Sequence, residues 1–209
     1  MFEMIMYKIA HYLSKLLVKL LYRIDANGIE GIPETGAAVI APNHVSYIDA
    51  LLILAISKRP AKFVMWYKIY ENKYLNWFFK RAGIIPIASP RESMHYFKSA
   101  FEKIEGALSN GELVVFFPEG GITHDGELQE IKGGIEYVIK KTPVPVIPVG
   151  LSGVYGSYFS RSKKKPLLGK WLRKLKIKIG DPIAPDKLSK ECVYRSLKSL
   201  TESKVQYNP

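Results

Sequence analysis

The fold is decided by residues 37–49, AAVIAPNHVSYID, where a short apolar run ends at a proline and a helical pattern follows. The run at 37–41 predicts a buried strand, and the apolar spacing after it predicts a helix over residues 47–56. Pro42 keeps Ala41 extended, so the strand is expected to end here. A strand that passes directly into a helix is the repeating unit of α/β proteins.

The same alternation continues along the chain. It predicts an α/β fold: a single domain with a mostly parallel central sheet flanked by helices, plus an N-terminal amphipathic helix. Strands are expected at 37–41, 62–65, 84–87, 113–117, 144–151 and 175–179. Further helices are expected at 47–56, 73–81, 93–109, 131–140 and 187–203. Pro145 and Pro148 mark an edge, a bulge or an end of their strand, because proline removes a ladder donor.

Residues 1–24 form the candidate amphipathic helix, and residues 25–209 form the remaining domain. The cations of the helix recur at helical spacing as one stripe, which consists of Lys8, His11, Lys15, Lys19 and Arg23. Such a pattern is typical of a helix lying in a membrane interface, although a helix packed on the protein core has the same period. No apolar run is long enough to predict a membrane-spanning helix.

The chain has 31 Lys and Arg against 19 Asp and Glu, a net charge of +12. This charge indicates an anionic partner: nucleic acid, a membrane surface or a phosphorylated ligand. No nucleic-acid-binding signature accompanies it, so nucleic acid is not an expected partner. Cys192 is the only cysteine, which excludes an internal disulfide, and the four His residues lack metal-ligand spacing, so no metal site is expected.

His44 and Asp49 follow the first strand of the predicted sheet, at the edge where open α/β sheets bind ligands. At this spacing they do not share a helical face, so they meet only if Asp49 reaches back to a His44 that precedes the helix. A carboxylate on one imidazole nitrogen leaves the other nitrogen free as a base. The competing interpretation is a loop histidine bonded to backbone, with Asp49 as a solvated first-turn acid.

A second strand end, after residue 117, carries Pro118, Glu119, Gly120 and Gly121. Consecutive glycines allow backbone N–H groups to approach an anion, and a glutamate there can accept a hydrogen bond from a ligand hydroxyl. An ordinary glycine-rich turn has the same sequence. Lys132, at the start of the next predicted helix, is either a ligand-binding cation or a solvated surface charge.

Taken in order, these segments resemble the sequence boxes of the glycerolipid acyltransferases, the family that includes 1-acylglycerol-3-phosphate acyltransferase. Residues 43–49 resemble its N-H-x-x-x-x-D box, residues 117–120, FPEG, its third box, and residues 144–149 its fourth. Lys132 and Gly133 resemble the lysine-glycine pair between the third and fourth boxes. The ordered set covers about residues 35–155, most of the domain.

The resemblance implies an enzyme that transfers a fatty acyl group from acyl-CoA or acyl carrier protein, its co-substrate, to the free hydroxyl of a lysophospholipid. The expected acceptor is 1-acylglycerol-3-phosphate, and no further cofactor is implied. His44 would be the general base and Asp49 its orienting partner, with backbone N–H groups near His44 stabilising the oxyanion. Substrate-binding roles are implied for Asn43, Glu119 and Gly120. Arg91, Gly121, Thr123 and Lys132 are further candidates for binding the substrate, as substitutes for the family's phosphate-binding arginines.

Two departures from the family pattern concern the acceptor. The third box continues as Thr-Arg-Ser in the family, whereas residues 121–123 read Gly-Ile-Thr here, so the phosphate-binding arginine is missing. The second box, G-x-x-x-x-x-R, begins at Gly83, but position 89 is Ser and the arginine comes later, at Arg91. Another lysophospholipid, such as lysophosphatidylethanolamine, is therefore the alternative acceptor.

Residues 161–178 contain nine Lys and Arg and no acid. This basic block fits a patch for anionic membrane lipid, a dock for the phosphates of CoA, or a dock for acidic acyl carrier protein, with a solvated loop as the remaining alternative. Together with residues 1–24 it predicts a peripheral protein on the cytoplasmic face of a membrane. A membrane lipid-binding protein without turnover is the alternative to an enzyme.

Overall fold

The computed structural model describes residues 2–162 and 173–202, built around a seven-stranded sheet of order β1-β7-β6-β2-β5-β3-β4. The strands are β1 (Tyr22–Asn27), β2 (Ala38–Pro42), β3 (Ala61–Trp66), β4 (Ile85–Ile87), β5 (Leu113–Val115), β6 (Val146–Ser152) and β7 (Arg173–Ile179). The helices are α1 (Phe2–Leu21), α2 (Asp49–Ile56), α3 (Tyr67–Tyr70), α4 (Asn76–Arg81), α5 (Met94–Ser109), α6 (Gly134–Lys141) and α7 (Lys190–Thr201). Among these described strands, only β6 and β7 pair in antiparallel fashion, and an isolated antiparallel bridge joins Val146 to Ile183.

Two apolar layers cover the sheet because successive side chains of a strand point to opposite faces. Ala38 and Ile40 of β2 belong to the layer that includes α1 and α2. Val39 and Ala41 belong to the opposite layer, which includes α5, α6 and α7. Helices therefore flank both faces, and the predicted α/β fold with a mostly parallel sheet is confirmed.

The predicted strands and helices all form, with ends shifted by a few residues. The strand with the prolines, β6, lies between β7 and β2 rather than at an edge. Pro145 precedes β6, and Pro148 stands just outside the ladder with β7, which begins at Val149. Neither proline therefore has to donate a hydrogen bond to that ladder.

The N-terminal helix ends earlier than the sequence predicted. α1 stops at Leu21, and residues 22–24 of the predicted helix belong to β1, which pairs with β7. β1 was not predicted because it is an edge strand with mostly exposed side chains, so it lacks the apolar alternation of a half-buried strand. The short helix α3 was also not predicted.

α1 packs on α2 through a face that carries few large apolar side chains. The Tyr7 hydroxyl donates to the Ser57 carbonyl oxygen at 3.1 Å, and His11 Nδ1 lies 2.8 Å from the Leu54 carbonyl oxygen. His11, which the helical spacing groups with the cations of the stripe, therefore contacts α2. The large apolar residues of the helix are exposed instead: Ile9, Tyr12, Leu13, Leu16, Leu17 and Leu20. Among the described residues, no helix has the length and apolar character needed to cross a membrane.

The parallel strands β2, β5, β3 and β4 all end at one edge of the sheet. His44 follows β2, Glu119 follows β5 and Arg91 follows β4. The topology therefore brings the chain segments of the sequence motifs to the edge where α/β sheets bind ligands.

Candidate active site

His44 and Asp49 meet across the loop that joins β2 to α2. Asp49 is the first residue of α2 and is fully buried, and its Oδ2 lies 2.8 Å from His44 Nδ1. Because an ionised carboxylate only accepts hydrogen bonds, Nδ1 donates and Nε2 keeps a free lone pair. The Phe117 ring stacks on the imidazole with centroids 4.1 Å apart. The His44 side chain is 20% exposed, so a ligand can reach it.

Asp49 also orders the backbone of this loop. Its Oδ2 accepts hydrogen bonds from the N–H groups of Val45 at 2.7 Å and Ser46 at 2.8 Å. Its Oδ1 accepts the Ser46 hydroxyl at 2.6 Å. One buried carboxylate therefore fixes both the loop and the imidazole, so the orientation of the His44 ring depends directly on Asp49.

Glu119 holds the His44 loop from the neighbouring strand end. Its Oε1 accepts the backbone N–H of His44 at 2.6 Å, and its Oε2 accepts the backbone N–H of Gln129 at 2.8 Å. Burial raises the pKa of the Glu119 carboxyl, and the two N–H donors act in the opposite direction. The sequence predicted a substrate contact for Glu119, whereas its two oxygens bind backbone N–H groups of the protein.

The backbone donors of the His44 loop are occupied. Glu119 takes the N–H of His44, and Asp49 takes the N–H groups of the next two residues. The expectation that these groups stabilise an oxyanion was therefore wrong, because the two carboxylates occupy them. An oxyanion must find its donors elsewhere at this edge of the sheet.

Asn43 and Thr123 are buried near His44, and their polar side chains form hydrogen bonds within the protein. The Asn43 amide accepts the Leu151 N–H at 2.7 Å and donates to the Leu151 carbonyl at 3.0 Å, which fastens the end of β2 to β6. The Thr123 N–H donates to the His44 carbonyl at 2.9 Å, and its hydroxyl donates to Asp125 at 2.8 Å. The sequence predicted substrate contacts for both residues, and both side chains have partners within the protein.

Gly120 and Gly121 turn the chain beside Lys132. Gly120 has a φ of +74°, a left-handed conformation that favours glycine. The Lys132 Cγ lies 3.5 Å from where a Cβ on Gly120 would stand, and the Lys132 N–H donates to the Pro118 carbonyl at 2.8 Å. The Lys132 ammonium is 3.2 Å from Glu130, and the side chain is 61% exposed. The structure therefore places Lys132 at the rim of the site, next to the two glycines.

Arg91 lies apart from the other residues that the sequence singled out. It is exposed in the turn that follows β4, and β5 and β3 stand between β4 and β2. Neighbouring strands are about 4.8 Å apart, so the ends of β4 and β2 are separated by about 14 Å. The structure thus places Arg91 at the far end of this edge and does not bring it to His44.

The basic block of residues 161–178 divides into parts. Residues 163–172 lie outside the described residues. Lys174 and Lys176 are exposed on β7, where they alternate with the buried Leu175 and Ile177. These two lysines form a solvated face of the sheet, while Arg161 belongs to the loop that follows β6.

The chemistry that the site offers comes from one imidazole, on His44, and two carboxylates, on Asp49 and Glu119. Within residues 2–162 and 173–202, no three His, Cys, Asp or Glu side chains gather as ligands for a metal ion. A base with a buried, hydrogen-bonded carboxylate behind it can take a proton from a hydroxyl and return it to a leaving group.

Known proteins share this sequence pattern. The family model for acyltransferases matches residues 23–152. A chloroplastic 1-acyl-sn-glycerol-3-phosphate acyltransferase of Arabidopsis thaliana is 31% identical over 153 residues, which are 70% of this chain and 42% of that protein. A chloroplastic 1-acyl-sn-glycerol-3-phosphate acyltransferase of Brassica napus is 29% identical, over 70% of this chain and 43% of that protein. The chain thus spans less than half the length of these relatives.

A solved structure shares the fold. The crystal structure of the 1-acyl-sn-glycerophosphate (LPA) acyltransferase PlsC from Thermotoga maritima superposes with a TM-score of 0.74 at 23% identity. The match covers 96% of this chain and 80% of that one. The resemblance predicted from the sequence boxes is confirmed by the family match, and the chain belongs to the acyltransferase family.

Proposed function

We propose that this protein transfers a fatty acyl group from acyl-CoA or acyl carrier protein to the free hydroxyl of a lysophospholipid. The acceptor that we propose is 1-acylglycerol-3-phosphate, which would give phosphatidate. The observation that carries the reaction type is the His44 imidazole, whose Nδ1 is bound to the buried Asp49 at 2.8 Å while Nε2 remains available. The names of the relatives from Arabidopsis thaliana and Brassica napus support the choice of acceptor.

The reaction needs no acyl-enzyme. His44 Nε2 takes the proton of the acceptor hydroxyl, and the hydroxyl oxygen attacks the thioester carbonyl carbon. As the tetrahedral intermediate collapses, the C–S bond breaks and the thiolate receives the proton from Nε2. Asp49 stabilises the imidazolium between these two steps, because its carboxylate accepts the Nδ1–H bond.

The oxyanion of the intermediate needs donors other than the occupied N–H groups of the His44 loop. The Gly121 N–H follows the left-handed Gly120 and has no hydrogen-bond partner among the described residues. Backbone N–H groups beside a left-handed glycine form anion-binding concavities. We assign this role to Gly121, at the end of the strand that neighbours β2.

The alternatives are an acyltransferase for another lysophospholipid, such as lysophosphatidylethanolamine, and a lipid-binding protein without turnover. The first is favoured by Ile122, which stands where the family has a phosphate-binding arginine. In a lipid-binding protein without turnover, the ordered pair of His44 and Asp49 would have no catalytic use. The hydrogen bonds that Asp49 and Glu119 make to the His44 loop favour catalysis over simple binding.

A thiol-release assay tests the reaction. Purified protein is given an acyl donor, either acyl-CoA or acylated acyl carrier protein, together with one acceptor. The acceptors are lysophosphatidic acid (1-acylglycerol-3-phosphate), lysophosphatidylethanolamine and lysophosphatidylcholine. We expect release with lysophosphatidic acid, and we expect His44→Ala to abolish it. His95→Ala is the matched control, because His95 is exposed on α5 and lies outside the site. Full activity in His44→Ala, or no release with any pair of substrates, would reject the proposed reaction.

We also propose that the protein lies on the cytoplasmic face of a membrane, with α1 in the interface. Five apolar side chains of α1 are more than half exposed, and they are Ile9, Tyr12, Leu13, Leu16 and Leu20. Lys15 and Lys19 flank this surface, which suits anionic lipid. β1 runs antiparallel to β6, and therefore also to β2, so β1 begins at the edge of the sheet where β2 ends. The C-terminal end of α1 leads into β1 and thus lies at the same edge of the sheet as His44.

A second exposed apolar surface supports this orientation. It follows β3 at the same edge of the sheet and consists of Trp66, Ile69, Tyr74, Leu75 and Trp77. The Lys68 ammonium lies 5.1 Å from the Trp66 ring centroid. Tryptophan and tyrosine beside lysine are typical of the membrane–water interface. Two apolar surfaces would then hold the His44 edge close to the lipid acceptor.

Flotation with vesicles of phosphatidylglycerol and phosphatidylcholine tests the membrane surface. We expect the combined variant Leu13→Ser, Leu16→Ser and Leu20→Ser to lose at least tenfold in binding, because each leucine removed from water is worth about 1.5–3 kcal/mol. Tyr137→Ser is the control, since Tyr137 is exposed on α6, on the opposite face of the sheet. Equal flotation of the triple variant and the control would exclude α1 as the membrane contact.

A further inference from the structure

We propose that Arg161, His124 and Tyr47 form a phosphate-binding site beside His44, which takes a phosphate of one of the two substrates. The proposal rests on the acyl transfer proposed above and adds residues that the sequence motifs do not contain. The three side chains come from separate segments: the loop after β2, the loop after β5 and the loop after β6.

The guanidinium of Arg161 lies at the centre of this cluster. Its Nη1 donates to the Ile122 carbonyl at 3.3 Å and lies 3.1 Å from His124 Nε2, and its Nε lies 3.4 Å from the Tyr47 hydroxyl. None of these contacts uses Nη2. All of these partners are uncharged when the imidazole is neutral, and in the described part of the chain no carboxylate pairs with Arg161.

The two N–H donors of Nη2 and the uncompensated charge suit an anion with several oxygens. The planar guanidinium presents these donors in fixed directions, which a point charge such as lysine cannot reproduce. The Tyr47 hydroxyl and the His124 ring add donors of their own. The chemistry of the cluster therefore matches a phosphate group better than a neutral head group.

The cluster is tied directly to the backbone that carries the base. The peptide group between Ile122 and Thr123 accepts the Arg161 hydrogen bond on its carbonyl, and its N–H donates to the His44 carbonyl at 2.9 Å. The Tyr47 N–H donates to the Phe159 carbonyl at 2.9 Å, so the loop of Arg161 is bonded to the loop of His44. A phosphate held at Arg161 would thus lie at a fixed distance from the reacting hydroxyl or thioester.

The loop that presents Arg161 is held by its own hydrogen bonds. Ser160 is buried, and its hydroxyl accepts the Gly156 N–H at 3.0 Å and donates to the Ser157 carbonyl at 2.9 Å. The Tyr155 hydroxyl donates to the His124 carbonyl at 2.7 Å. The guanidinium and the imidazole therefore belong to one connected structure. Ile122 is the position where the family has its arginine, so Arg161 supplies a guanidinium to the same peptide from a distant part of the chain.

Steady-state kinetics of Arg161→Ala test the site and identify the source of the phosphate. We expect the KM for the phosphate-bearing substrate to rise about 10- to 100-fold, because the charge-assisted hydrogen bonds to the phosphate are lost. A rise for lysophosphatidic acid, absent for monoacylglycerol, would assign the acceptor phosphate. A rise for acyl-CoA, absent for acyl-pantetheine, would assign the donor. The KM of Arg161→Lys should lie between those of the wild type and Arg161→Ala, because lysine keeps the positive charge but loses the guanidinium donors.

Arg195→Ala is the matched control, since Arg195 is exposed on α7 and pairs with Glu191 at 3.2 Å. Unchanged KM values for both substrates in Arg161→Ala would overturn the site while leaving the acyl transfer intact. An equal rise with the phosphate-free substrates, or a loss of vesicle flotation alone, would also overturn it. If the wild-type protein releases no thiol, the acyl transfer fails, and calorimetry with glycerol 3-phosphate and with CoA still tests the site. Equal binding by wild type and Arg161→Ala, or no binding of either ligand, would reject it.

Discussion

The inner and outer parts of the site are built in different ways. Around His44, the buried side chains of Asn43, Asp49 and Glu119 use their polar atoms on the protein itself. At the rim, Lys132 is exposed, and its one ion pair within residues 2–162 and 173–202 is with the exposed Glu130. Buried hydrogen bonds fix geometry, whereas exposed ion pairs contribute little. The comparison indicates that the protein itself holds the His44 imidazole in place, whereas no buried hydrogen bond of the described residues fixes the Lys132 ammonium.

Asp49→Asn should have the largest effect on the inner part. An amide does not stabilise the imidazolium and can hold the wrong tautomer, so we expect kcat to fall about 10⁴-fold. The measurement is thiol release at saturating concentrations of both substrates. Ser46→Ala is the control, because it removes the 2.6 Å hydroxyl bond to Asp49 and the 3.3 Å bond from the Ile48 N–H but leaves the Asp49 carboxylate and its bond to His44. Equal losses in the two variants would show that loop order, and not the imidazolium, is what Asp49 provides.

Glu119→Gln should have the next largest effect. The amide has only one acceptor oxygen, so it can no longer accept from both the His44 and Gln129 N–H groups. A displacement of the base of about 1 Å costs about 10²-fold in rate, and we expect a loss of this size in kcat.

The control for Glu119→Gln is Glu130→Gln, since Glu130 is exposed and its carboxylate pairs with the Lys132 ammonium at 3.2 Å. A kcat unchanged in Glu119→Gln, with a raised KM for the acceptor, would instead support the substrate contact that the sequence predicted. The split between kcat and KM therefore separates positioning from binding.

The sequence could reveal the pair of His44 and Asp49 because both lie in one short box, between a strand with a clear apolar run and the start of the next helix. The central strands were predictable for the same reason, since burial on both faces leaves a continuous apolar signal. β1 had no such signal, because an edge strand with exposed side chains resembles the end of the helix before it.

The contacts between distant segments were beyond sequence reasoning. Glu119 accepts a hydrogen bond from His44 because β5 is the neighbour of β2 in the sheet. Local sequence patterns do not predict the order of strands in a sheet. The same holds for Asn43 and Leu151, which join β2 to β6. The missing arginine of the third box was visible in the sequence, but the approach of Arg161 to Ile122 appears only in the folded chain.

Lys132→Ala tests the outer part and should have a small effect. Its ammonium is exposed, and surface ion pairs are worth about 0–1 kcal/mol, so we expect at most about a fivefold rise in the acceptor KM and an unchanged kcat. Lys98→Ala, at an exposed position of α5, is the control. A loss above 100-fold in kcat/KM would place Lys132 with the inner residues and remove the distinction between the two parts.

We expect the smallest effect for the pH dependence of stability that Glu119 contributes, because burial and hydrogen bonding shift the pKa of its carboxyl in opposite directions. Burial raises the pKa of this carboxyl above its usual 4.5, and the N–H bonds from Gln129 and His44 partly offset the rise. A group with a raised pKa in the folded state stabilises the fold fully below its unfolded pKa and loses that contribution as pH rises through the folded pKa. The stability of wild type relative to Glu119→Gln, from urea unfolding, should therefore fall as pH rises from 4.5 through the raised pKa. A relative stability that increases over this range would mean that the two N–H bonds outweigh burial, and the inner part would then be held by charge more than by its apolar surroundings.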